Sequence, residues 1–152
     1  MPDGVDALPW LLESREPAIR LLARRDILGE TDLDFAEVAD GPTARALLSD
    51  QRADGGFGVH PYAKWMGAHW RLVSLTELGI PAGDGRMFAA LETVLEWLGS
   101  DRHRSSIREI QGLTRRCASQ EGNALAVACR AGIAHDPRVQ ALAADLIRWR
   151  QR

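Results

Sequence analysis

The sequence is poor in most of the features that point straight to a function. It has only two cysteines, Cys117 and Cys129, with no C-x-x-C pair, which excludes a disulfide framework and a structural zinc site. It has no long hydrophobic run: the most apolar window, residues 124–134, is broken by Arg130 and is far shorter than a bilayer span. It has no excess of one charge, because 19 basic and 21 acidic residues leave a formal −2, without the cationic field of a dedicated nucleic-acid binder. The first residues lack the basic start and apolar core of a signal peptide, so with the sparse cysteines a cytoplasmic protein is expected. No phosphate-binding loop, Ser-His-Asp order or metal-ligand spacing occurs, and neither a cofactor nor a metal is expected.

What is present is a core-forming composition, 45% hydrophobic and 26% charged, in 152 residues, enough for one domain over residues 1–152. Period-two alternation is not sustained anywhere, whereas helical stripes with start and stop signals recur, so the expected class is all-α without a sheet. A first helix is expected after Ser14, with Pro17 in its first turn, ending at Gly29; Asp32 reads as the cap of a second region that Gly41-Pro42 interrupts and that resumes to Gln51. Residues 53–58, with three glycines, must turn. Helices are then expected from Lys64 to Gly79 and from Arg86 to Gly99. A polar loop over 100–105 and a helix opened by the capping-box pair Ser106 and Glu109 should follow. Asn123 to Ala131 and the segment opened by Asp136-Pro137 complete the series.

These helices repeat. Leu78-Gly79-Ile80 followed by Asp84, Arg86, Leu91, Leu95 and Trp97 recurs as Ala131-Gly132-Ile133 followed by Asp136, Arg138, Leu142, Leu146 and Trp149, and Ile27-Leu28-Gly29 precedes the first copy at a similar spacing. Leu47-x-x-x-Gln51 has a counterpart in Ile147-x-x-x-Gln151. Antiparallel helical hairpins of about fifty residues each, over approximately 15–58, 64–105 and 106–152, are therefore expected, each burying its inner face against its neighbours.

Gln51-x-x-x-Gly55-x-Phe57 is similar to the QW motif of the squalene-cyclase and protein-prenyltransferase superfamily, with Phe in place of the usual Trp. The wider run through Tyr62-x-Lys64-Trp65, His69-Trp70 and Leu78-Gly79-Ile80 resembles the prenyltransferase/squalene-oxidase repeat proteins over most of the chain. That resemblance implies an arc of an α/α-toroid and an apolar, isoprenoid-like ligand. The superfamily's acidic D-x-D-D cluster is missing, since Asp32-Leu33-Asp34-Phe35 lacks its last member, and neither cysteine has the aspartate of the zinc-dependent transferases two positions before it. No catalytic residue is assigned, and both cysteines read as small buried hydrophobes. Independently of any family, Gln51 can bond the backbone of the turn after it while Phe57 covers that turn, a stability device.

Two groups are candidate sites. Tyr62, Trp65, His69 and Trp70 concentrate aromatic surface with one histidine, suited to an apolar ligand, against the alternative that Trp65 is plain core and His69 a hydrogen-bonded histidine between helices. Trp65 and His69 should share one helical face, with Trp70 joining only if the entering loop folds back. Arg102, Arg104, Ser106 and Arg108 are the candidate anion site, at the expected helix N-terminus, against the alternative of a solvated loop. The last helix carries Val139, Leu142, Ala143, Leu146, Ile147 and Trp149 and ends where a second glycine-aromatic turn would follow. A homo-oligomer through that helix, or a partner half, is expected. Two functions remain open: binding of an apolar small molecule, and a non-catalytic scaffold for protein interaction or oligomerisation.

Overall fold

The computed structural model describes residues 7–114 and 118–149; Cys117 and Gln151 lie outside the described residues. Among these the fold is all-α apart from one minimal hairpin. Helix α1 spans Ala7–Leu12, α2 Pro17–Asp26, α3 Pro42–Leu48, α4 Ala68–Leu78, α5 Gly85–Gly99, α6 Asp101–Ser106, α7 Ser119–Arg130 and α8 Pro137–Trp149, with a 3-10 turn at Ala36–Asp40. Proline opens α2, α3 and α8, where its missing N–H costs nothing. Ser14 stays outside α2 and accepts from the Glu16 amide, and the 3-10 turn is led by Asp34, not Asp32, through a 2.8 Å bond from the Ala36 amide.

The repeat is visible atom by atom. Gly79 and Gly132 both take left-handed backbone, φ +85° and +89°, and the isoleucine after each returns its amide to the carbonyl five residues back, Ile80 to Leu75 and Ile133 to Ala128. Asp84 and Asp136 then cap the following helices in the same way. Each accepts the amide two residues on and holds the arginine there, Arg86 at 2.6 Å and Arg138 at 2.7 Å. Each arginine also reaches back one hairpin: Arg86 donates to the Ala39 carbonyl at 2.8 Å, and Arg138 forks onto both oxygens of Glu92 at 2.7 and 2.8 Å.

Helix α4 lies at the centre, packed against α2, α3, α5 and α7, while α8 packs on α7 and α5. Its burial extends nearly all round: Ala68, Leu72 and Leu75 sit in the main core together with Leu91, Val94 and Leu95 of α5 and Val127 and Ala128 of α7, while His69, Arg71 and Thr76 are also buried. A smaller cluster of Ala18, Leu21 and Val38 closes the first hairpin against Leu78.

Four expectations fail locally. The segment 100–105 is not a loop but α6, capped by Ser100, whose side chain accepts the His103 amide. Ser106 therefore ends a helix instead of opening one, and Glu109 enters a two-residue ladder, Glu109–Ile110 with Leu113–Thr114, turned by Gln111 and Gly112 at positive φ. The capping-box spacing is met by chance, because Ser106 spends its hydroxyl on the His103 carbonyl. Helix α4 starts at Ala68 and not Lys64, as Gly67 caps it and Trp65 holds φ +65° outside any helix. Cys129 is exposed, one position beyond the buried face of Ala124, Val127 and Ala128.

Candidate functional site

The QW-like turn behaves as the structural device its residues suggest. Gln51 Nε2 donates both to the Gly55 carbonyl at 3.0 Å and to the Arg86 carbonyl at 2.8 Å, tying the turn to the first turn of α5. Phe57 is buried beneath the Arg71 guanidinium, 4.1 Å from its ring centroid, and Arg71 forks onto Asp50 and bonds the Leu47 and Met66 carbonyls. The Gln51 side-chain amide and the Arg71 guanidinium are thus both used for architecture.

The loop that leaves it, residues 59–67, folds back over the start of α4. Tyr62 thereby meets His69 and Trp70, with ring centroids 5.0 and 5.5 Å away, and stacks on Trp97 of α5 at 5.5 Å. Trp97 in turn meets His103 of α6 edge-on at 4.8 Å, and Trp65 lies against Trp70 at 5.2 Å. The rings thus form a continuous seam from the surface, where Trp65 is 67% exposed, to the buried His103. Of the four aromatic candidates, Tyr62, His69 and Trp70 come together; Trp65 joins through Trp70 alone and is neither core nor on the helical face of His69. Trp97 links the seam, and its only sequence signal is that it is the repeat counterpart of Trp149.

His69 is almost fully buried, and its Nε2 has no hydrogen-bond partner among the described residues. Burial lowers its pKa from 6.5 to about 4, with the Glu121 charge opposing the shift, so the ring is neutral at physiological pH.

At the inner end of the seam, His103 Nε2 lies 3.3 Å from Glu121 Oε1 of α7, with both side chains buried. This pair forms part of the wall of a cavity of about 220 Å³ between α5, α6, α7 and α8. Leu95, Leu98, Ile107, Leu142 and Trp149 supply apolar walls; Arg104, Arg138 and Asp145 supply polar ones. A shallower depression shares Arg104, Ile107, Asp145 and Trp149 and adds Arg148. Glu121 and His103 carry no motif, being eighteen residues apart on two different helices, and only the fold unites them.

The four anion candidates are not brought together as a site. Arg104 reaches the cavity, but Arg102, Ser106 and Arg108 are not among its walls and are exposed. Ser106 stands at the C-terminal end of a six-residue helix, where the dipole repels an anion. Among the described residues no group of three His, Cys, Asp or Glu side chains is placed to hold a metal ion, and no helix is long and apolar enough to cross a membrane. Compared with protein-family models, with curated proteins and with solved structures, the chain matches none.

Proposed function

We propose that the chain is a small-molecule-binding helical repeat domain that takes the apolar body of an isoprenoid-like ligand into the cavity between α5, α6, α7 and α8. The supporting observation is that cavity: apolar walls from α5, α8 and the segment after α6, around one buried polar pair. Its size narrows the ligand. A cavity of about 150 Å³ holds a benzene ring, so 220 Å³ encloses roughly two isoprene units and leaves the rest of a longer chain outside. The finer architecture belongs to the same proposal: hairpins that pack in chain order, α4 on α7 and α5 on α8, suit an arc of an α/α-toroid as the resemblance implies.

The test is a tryptophan-fluorescence titration with geraniol, because Trp149 lines the cavity. Saturable quenching in the wild type, weakened at least about tenfold in Leu142→Trp with helicity retained, is the expected result. Linear, non-saturating traces for isoprenoid alcohols of five to fifteen carbons would remove the proposal.

Self-association is a second reading, favoured by the exposed apolar side chains near the two ends of the array: Trp10 on α1 and Ile27 after α2, 71% and 58% exposed, and Ile147 on α8, 65% exposed. Trp149, in contrast, turns into the cavity. Sedimentation should show a dimer that Ile147→Glu dissociates. Wild-type protein that stays monomeric at several hundred micromolar would rule it out.

A further inference from the structure

The polar atoms of the cavity select among ligands with the same apolar body. Arg138 is committed, held by Asp136 and by both oxygens of Glu92. Arg104 faces Asp145 at 3.9 Å, and Arg148 is also paired with Asp145. Together the walls carry two guanidinium groups and two carboxyl groups, Glu121 and Asp145, so the cavity has no surplus of positive charge for a multiply charged anion. His103 is different. A carboxylate oxygen only accepts, so the pair with Glu121 is satisfied by the tautomer that carries its proton on Nε2, which leaves a lone pair on Nδ1. Nδ1 has no hydrogen-bond partner among the described residues, and it belongs to a ring that forms part of the cavity wall, braced edge-on by Trp97.

We infer that His103 is the specificity-determining residue of this cavity, accepting a hydrogen bond at Nδ1 from the ligand, whose polar group is an uncharged donor such as an alcohol and not a diphosphate. A diphosphate has only acceptors to offer a lone pair, and it would have to enter beside two carboxyl groups. Glu121 is a positioning residue: it fixes the tautomer and the ring plane, as carboxylates do for histidines elsewhere. This inference rests on the binding reading above.

The experiment uses three probes with one carbon skeleton: geraniol, geranyl methyl ether and geranyl diphosphate. Each is titrated against the wild type and His103→Phe, and the histidine ring nitrogens are followed by nitrogen-15 NMR. Geraniol is expected to bind about tenfold more tightly than the ether and at least as far ahead of the diphosphate. It should shift the Nδ1 resonance of His103 while Nε2 keeps its proton. His103→Phe, whose ring can still stack on Trp97, should bind geraniol and the ether alike. Glu121→Gln should retain binding but weaken the preference for geraniol. Equal binding of alcohol and ether by the wild type, or an unmoved Nδ1 resonance, would overturn the role of His103 while leaving the apolar binding reading intact. Tightest binding by the diphosphate would overturn the assigned ligand class. Failure of all three probes to bind would sink both claims together.

Discussion

Gly55→Ala is expected to leave little folded protein, with a loss of about 4 kcal/mol or more out of a typical total of roughly 5–15. Gly55 has φ +81°, and a Cβ there would sit 2.1 Å from the Ala89 carbonyl oxygen and 2.5 Å from its carbon. These are backbone atoms in the first half of α5, so no rotamer change relieves the clash. The turn would have to lift from α5, breaking both bonds made by Gln51 and uncovering Phe57. Gly83 is the control, with the similar φ of +91° and nothing within 4 Å of a Cβ. Gly83→Ala should cost only the conformational term, about 1 kcal/mol. Urea unfolding of the two variants separates them; equal losses would mean that close approach to α5 is not what fixes this turn.

The second large effect is on acid stability. The unfolded chain binds a proton at His69 near pH 6.5, whereas the folded chain resists it until about pH 4 because burial removes the ring from water. As pH falls through that interval the unfolded state gains protons that the folded state does not, and stability falls. The contribution is fully present above pH 6.5, declines by up to about 1.4 kcal/mol per pH unit, and stops changing below pH 4, a total of about 3 kcal/mol. His69→Leu removes this slope together with the unpartnered Nε2. Unfolding free energies measured at pH 7, 6, 5 and 4.5 should therefore converge or cross, with the variant relatively better at each lower pH. Parallel curves would show that His69 takes up its proton as readily in the folded protein as in the unfolded one.

How much of this was legible depends on the range of the interaction. Proline at a helix start, aspartate before it and glycine after a helix act within one or two turns, so α5, α8 and the stops at Gly79 and Gly132 could be read from the sequence within a residue or two. Gln51, Gly55 and Phe57 were legible as a stabilising turn, although the Arg86 carbonyl that Gln51 reaches is thirty-five residues away. The region 100–110 was misread because two local signals competed. Ser100 and Ser106 are both plausible caps, and the left-handed pair Gln111–Gly112 favours a ladder over a helix only once its partner strand is in place. The aromatic group was legible as a cluster but not as a seam, since Trp97 and His103 enter from other helices. Glu121 carried no signal, since it lies before the helix expected from Asn123; α7 starts earlier, at Ser119, and burial beside His103 gives Glu121 its role.

The arginine that follows each capping aspartate does two jobs at once: it stiffens its own helix start and grips the hairpin before it, through Ala39 in one case and Glu92 in the other. A unit built this way brings its own fastener. A main-chain carbonyl such as that of Ala39 is present whatever side chain stands there, so the Arg86 joint makes no demand on the identity of the residue it grips. Where the grip is on a side chain, as with Glu92, the two partners must change together. The first kind of joint tolerates substitution at the gripped position; the second ties the arginine to one particular side chain.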